Sequence, residues 1–458
     1  MQRVQRQDLR ICAIVLKLPR SFTTSGGEST MGLGTQLKCI DCGATFSLDQ
    51  VRYTCDCGGL LDVARDLEEA RDAVSRETFD RRLGGQSLAD ASGVWRFREL
   101  ILPAPEEAIV SRPEGNTPQY RSARLSKWTG LDDLALKHEG ENPTGSFKDR
   151  GMTVGVTQAR QVSARAVACA STGNTSASLA SYGALAGLPV IIFVPEGKIA
   201  FGKLSQALAY GARTLQVKGD FDDAMQLVQD VCRELDIYLL NSINPFRVEG
   251  QKAIILETLQ QRDWQPPDWI VLPAGNLGNA SAFGKALYEA HQLGLISRVP
   301  RLAAVQAEGA NPFYRSFTGG FRQRERVHAE TIATAIKIGD PVSFTRAVRA
   351  IEWTNGVVTQ VSDSEIMDAK AQVDAAGIGC EPASASSAAG IKKLVTEGVI
   401  KPGESAVAIL TGHLLKDPGA TVDYHLNRLE GITPAYANAP VVVEPTVDAV
   451  RQVLRRDA

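Results

Sequence analysis

The 458-residue sequence has no long apolar run, no excess of charge of either sign and no internal repeat. A membrane-spanning helix needs about 20 apolar residues, and the longest early run, residues 11–16, is followed by Lys17 and Pro19. The same run is too short for a good secretory signal. Lysine and arginine total 50 against 52 acidic residues, a net charge of −2, so no basic field invites nucleic acid. Of eight cysteines, four are clustered and four scattered through a chain long enough to bury a large core. That is not the pattern of a small secreted disulfide scaffold. The expectation is a soluble cytoplasmic protein of two or three domains. Residues 1–30 are read as a disordered or artefactual extension, with Met31 as an alternative start.

The clustered cysteines are Cys39, Cys42, Cys55 and Cys57. Cys39-Ile40-Asp41-Cys42-Gly43 has the form of a metal knuckle, with glycine letting the turn close around its ligands. The second pair is C-x-C where a zinc ribbon has C-x-x-C, which counts against a tetrahedral site. Residues two apart on a strand share a face, however, so both thiols could still ligate. Structural zinc and a metal-free ribbon holding four reduced thiols both remain open. Residues 64–100 read as a charged helical linker, anchored by Trp95, Phe97 and Leu100.

Beyond the linker, short apolar segments alternate with helical ones. Strands are expected at 134–137, 166–170, 190–194, 214–217, 238–240, 269–273, 302–306 and 406–409. Helices are expected at 176–185, 202–210, 222–235 and after Asn279. This spacing implies right-handed crossovers and parallel sheets covered by helices on both faces. In such sheets ligands bind beyond the carboxyl ends of the strands.

Five segments there carry chemistry. Asn142-Pro143-Thr144-Gly145 is a turn that delivers Lys148 to the start of a helix. The positive end of the helix dipole favours the neutral amine, the form able to attack an aldehyde. Ser171-Thr172-Gly173-Asn174-Thr175 offers backbone N–H groups and three hydroxyls at a helix N-terminus, a cradle for an anion. Gly275-Asn276-Leu277-Gly278-Asn279 follows an apolar strand and lets backbone approach a phosphate. It lacks the glycine spacing of a dinucleotide fingerprint. Thr411-Gly412-His413 follows the last strand, and Asn241, Ser242 and Arg247 follow another. A guanidinium binds phosphate bidentately and stays charged.

Taken in order, the segments at 137–152, 171–175, 275–279 and 410–417 resemble those of threonine synthase, a family of fold-type II enzymes that use pyridoxal 5′-phosphate (PLP). The resemblance spans about residues 100–430 and implies an α/β fold of two doubly wound parallel-sheet domains with the active site between them. It implies a PLP-binding domain of 101–150 and 246–430, a small α/β domain of 151–245, a Cys-rich ribbon-like segment of 31–63 and a C-terminal tail of 431–458. By resemblance Lys148 is the Schiff-base lysine and Asn174 the partner of the cofactor's 3′-oxygen. Gly275, Asn276, Leu277, Gly278 and Asn279 would hold its phosphate, and Thr411 its pyridine nitrogen. A neutral hydroxyl there leaves the ring largely unprotonated. Ser171, Thr172 and Thr175 would hold the substrate α-carboxylate, while Asn241, Ser242 and Arg247 would hold the phosphate of O-phospho-L-homoserine. His413, Lys416 and Asp417 are read as structural, and Glu381 is assigned no role. A homodimer is the implied assembly. The alternatives are a threonine/serine dehydratase or cysteate synthase. A non-catalytic ribbon module is opposed by intact Lys148, Asn174 and Thr411.

Overall fold

The computed structural model describes residues 33–197, 201–219 and 221–455. The extension at 1–30 and Met31 lie outside the described residues. Strands β1 (Gln36–Cys39), β2 (Thr45–Phe46) and β3 (Leu61–Ala64) form a small antiparallel sheet in the order β2-β1-β3. Then come β4 (Gln119–Tyr120) and β5 (Asp133–His138). Strands β6 (Val167–Ala170), β7 (Val190–Pro195), β8 (Arg213–Val217) and β9 (Tyr238–Leu239) make a parallel sheet ordered β8-β7-β6-β9. The third sheet contains β10 (Trp269–Pro273), β11 (Arg301–Ala307), β12 (Val357–Val361) and β13 (Ser405–Leu410), in the order β12-β11-β10-β13-β5-β4. All its pairings are parallel except β4 with β5. The expected strands are present within one or two residues of their ends. Before β5 lie the edge strand β4 and the helix Ala123–Thr129.

The parallel strands read as continuous apolar runs because both faces are covered. On β10, Ile270 and Leu272 pack into one core while Trp269 and Val271 pack into the core on the opposite face. On β6, Val167 and Cys169 divide from Ala168 and Ala170 in the same way. A period of two in side-chain direction produces this division. The helices used below are α1 (Lys148–Gln161), α2 (Asn174–Leu185), α3 (Pro245–Gln260), α4 (Gly278–Gln292), α5 (Phe344–Trp353) and α6 (Pro382–Thr396). Among the described residues, no helix is long and apolar enough to cross a membrane. The linker anchors are buried as expected, with Trp95, Phe97 and Leu100 in the main core.

A buried ionic network joins four parts of this architecture. Glu257 of α3 accepts from Arg150 of α1 at 2.8 Å, Lys137 of β5 at 2.5 Å and Arg96 of the linker at 3.0 Å. It also accepts from the backbone N–H groups of Asn116 at 2.7 Å and Thr117 at 3.0 Å. Arg150 forks onto Glu139 through two bonds of 2.7 Å. Burial would raise the Glu257 pKa, but Arg150 and Lys137 outweigh it and hold the carboxylate well below its usual range. The close approach explains Gly115, whose φ is +89° and whose added Cβ would lie 2.6 Å from the Arg150 guanidinium. Glu257→Gln would leave Lys137 and Arg150 with Glu139 as their one buried carboxylate and would break the ion pair of Arg96. Breaking one side of a buried pair costs about 3–5 kcal/mol, so urea titration of this variant should show a loss of that order.

Candidate active site

Lys148 is the first residue of α1, and its loop is stitched to the loop after β13. The N–H of Phe147 donates to the carbonyl of Thr411 at 3.0 Å, and that of His413 to Gly145 at 3.0 Å. Ser146 and Gly412 form an antiparallel bridge between these bonds. Asp149 ties the same turn to α2, accepting from Thr144 Oγ1 and Ser178 Oγ at 2.6 Å each. With its neighbours thus fixed, Lys148 opens on to a cavity of about 860 Å³.

That cavity brings together the residues that the five segments singled out. Lys148, Ser171, Thr172, Asn174, Thr175, Asn241, Ser242, Arg247, Gly275 to Asn279 and Thr411 all line it. They arrive from both parallel sheets. Asn241 extends the ladder of its own sheet, because its amide donates to Ala170 O at 2.9 Å and accepts from Ala170 N at 3.0 Å. Arg247 donates to Leu240 O at 2.9 Å, leaving its buried Nε without a partner. Thr411 shares a 3.0 Å hydroxyl contact with Ser384 of α6.

The lining fits a polar ligand with both donors and acceptors, and an anion can be met by Arg247 Nε and the first N–H groups of α4. Buried polar atoms without a protein partner include Asn174 Oδ1, Asn279 Oδ1, Gln251 Oε1 and Arg247 Nε, all on residues of this one cavity. Buried polar groups are rarely left unmatched. Leu277 adopts φ +65°, turning the chain into α4, whose first residues line the cavity with their N–H groups unpaired within the helix. A Cβ at Gly275 would lie 3.0 Å from Ile336 Cα, so glycine is required for the approach of the 334–338 segment. PLP would be held here by Lys148, Asn174, the 275–279 loop and Thr411.

Burial is the main cause that pulls the Lys148 pKa down to about 7, with the Arg247 cation adding to it and Glu381 opposing it. Burial is thus the largest cause of the shift, at a lysine that also stands at the start of α1 as expected from sequence. Burial likewise lowers Arg247 to about 10, leaving it charged near neutrality.

Sequence reasoning missed Glu381. Its carboxylate is buried, lines the cavity and accepts from Asn174 Nδ2 at 3.1 Å. It precedes Pro382, and its side chain makes no cap bond to α6, so helix capping does not account for it. A carboxylate flanked by Cys380 and Pro382 in a small apolar segment was the available signal. The 334–338 segment, which also lines the cavity, was given no role from sequence. His413 accepts from Leu415 N at 3.1 Å, a local loop bond of the kind expected. Lys416 reaches Gln206 and lines the cavity as well.

The four thiols of the small sheet also converge, with their sulfurs all within 4.8 Å of one another. Cys39 and Cys57 are 3.6 Å apart, as are Cys42 and Cys55. Zn–S bonds of about 2.3 Å in a tetrahedron put sulfurs about 3.8 Å apart, so the C-x-C half is no obstacle to a metal.

If burial and Arg247 set the amine, acylation of Lys148 in cofactor-stripped protein should rise with pH through about 7 and level off above it. Arg247→Gln removes a cation that disfavours protonation, so it should move the midpoint upward. Peptide mapping across a pH series measures both, and a midpoint near the usual lysine value would contradict this account.

Residues 110–412 match the family described as pyridoxal-phosphate dependent enzyme. The threonine synthase of Methanocaldococcus jannaschii is 46% identical over 424 residues, covering 91% of this chain and 99% of that protein. Threonine synthase 2, chloroplastic, of Arabidopsis thaliana is 40% identical, covering 90% of this chain and 82% of its own length. The crystal structure of Escherichia coli threonine synthase superposes with a TM-score of 0.66 at 19% identity, over 92% of this chain and all of that one, and shows the shared fold. With the cavity, its lysine and these relatives in agreement, the chain belongs to the pyridoxal-phosphate dependent enzymes, as a member of the threonine synthase family.

Proposed function

We propose that this chain converts O-phospho-L-homoserine and water to L-threonine and phosphate. The observation that carries this reading is the convergence of Lys148, Asn174, Thr411 and Arg247 on one cavity, in a chain 46% identical to a threonine synthase over nearly its full length. PLP, when bound, supplies the electron sink for carbanion chemistry at the substrate amino acid. Lys148 tethers it and, once released by the substrate amine, moves protons at the α-carbon. A β-proton then leaves, phosphate departs from the γ-carbon, the γ-carbon takes a proton, and water adds its hydroxyl at the β-carbon while a proton returns to the α-carbon. Ser171, Thr172 and Thr175 hold the α-carboxylate at the start of α2. Asn174 would serve the cofactor's 3′-oxygen, the 275–279 loop its phosphate, and Thr411 its ring nitrogen. Asn241, Ser242 and Arg247 hold the substrate phosphate, a task suited to a buried guanidinium that stays charged.

Around this centre we propose the division into 101–150 with 246–430 and 151–245. The separate sheets support it, although the boundary at 150 falls inside α1. Zinc on Cys39, Cys42, Cys55 and Cys57 is supported by the sulfur spacing. Seven described cysteines, all unpaired, favour a reducing cytoplasm, and a two-fold homodimer is the commonest closed assembly.

Arg247→Ala should cut kcat/KM for O-phosphohomoserine by roughly a hundredfold or more, with the visible spectrum of the bound cofactor unchanged. Normal turnover by this variant, or faster deamination of threonine than synthesis by the unmodified enzyme, would overturn the reading. Metal analysis should give about one zinc per chain. Metal-free protein with four freely titrating thiols would remove that part.

A further inference from the structure

The Cys-rich sheet reaches both halves of the molecule. On one side, β3 docks on the large sheet's helices: Lys285 of α4 donates to Val63 O at 2.5 Å, Arg346 of α5 to Leu61 O, and Arg349 pairs with Asp62. On the other side, the segment between the two cysteine pairs touches the small sheet. Gln158 of α1 donates to Leu48 O at 2.8 Å, and Leu239 N donates to the Tyr53 hydroxyl at 2.7 Å. The Tyr53 ring also packs edge-on against Tyr238, with centroids 5.8 Å apart.

Strand β9 is the edge of its sheet, hydrogen-bonded only to β6. Tyr238 and Leu240 turn their N–H groups inward, to Ala166 O at 2.9 Å and Ala168 O at 2.8 Å. Alternation along a strand therefore turns the Leu239 N–H outward, where an edge leaves it without a ladder partner. Tyr53 supplies that partner. The next residues are Leu240, whose carbonyl orients Arg247, and Asn241, whose amide closes on Ala170 immediately before the 171–175 loop.

We propose that Tyr53 is a positioning residue for substrate phosphate. It holds the outer edge of β9 and so fixes where Asn241, Ser242 and Arg247 present their donors. This rests on the phosphate-binding role given to those three residues above. Tyr53 touches no reacting atom, and the cofactor loops at 275–279 and 411 lie on the other sheet.

The test is Tyr53→Phe in the full-length, PLP-loaded enzyme, which removes one hydroxyl and keeps the ring against Tyr238. KM for O-phosphohomoserine and the inhibition constant of inorganic phosphate should both rise about three- to tenfold, the size of one hydrogen bond. The value of kcat and the cofactor spectrum should stay as they are. Unchanged KM and unchanged phosphate inhibition overturn the proposal. So does a lowered Tm with kcat falling and KM constant, which marks a purely structural tyrosine. Arg247→Ala run alongside separates the two readings. If it weakens phosphate inhibition while Tyr53→Phe does not, only the role of Tyr53 fails. If neither variant weakens it, the phosphate site itself is misassigned and this inference fails with it.

Discussion

The buried Glu257 carboxylate is the constraint on which the arrangement of the site depends. It holds Arg150, two residues beyond Lys148, together with Lys137 of the strand that leads into the lysine loop. It also binds the backbone of Asn116 and Thr117, so the turn before β4 is tied to the same point. A buried charge without partners is costly, whereas each of these groups satisfies another. The network therefore admits few alternative placements of α1 against α3 and β5. Lys148 inherits its position from that geometry, because it stands one turn or less from the pinned arginine.

A second consequence is electrostatic. The loop pairing of Phe147 with Thr411 and His413 with Gly145 closes the floor beneath Lys148. Burial and the nearby Arg247 then oppose protonation of its amine. The same fold thus places the amine and sets its charge. Glu381 works against that shift, and its bond to Asn174 couples the 381–384 segment to the start of α2.

The Cys-rich sheet is joined to this body by buried charge as well as by apolar packing. Arg65 pairs with Glu249 at 3.1 Å and Glu289 at 2.9 Å, and Lys252 with Glu289 at 2.5 Å. Strands of four, two and four residues bury little surface by themselves. Their place depends on α3, α4 and α5, and in return they cap the exposed edge of β9.

The sequence by itself determined the strand and helix alternation, since continuous apolar runs such as Ile270-Val271-Leu272 suit only strands covered on both faces. It also determined the loop chemistry, because glycine, asparagine and hydroxyl side chains at strand ends are legible one segment at a time. The convergence of Cys39, Cys42, Cys55 and Cys57 was half-legible: the spacing suggested a knuckle, and only the turn at Gly58-Gly59 shows how a C-x-C pair can join it. The 334–338 segment and Tyr53 were not legible, and Glu381 only as a lone carboxylate in a small apolar segment, because each acts through a neighbour distant in the chain. The burial of Lys148, the largest cause of its lowered pKa, was not legible either, since burial depends on everything that surrounds a residue and a helix end depends only on the next few. Local pattern specifies which groups the chain carries, while packing decides which of them share a cavity and what charge they hold there.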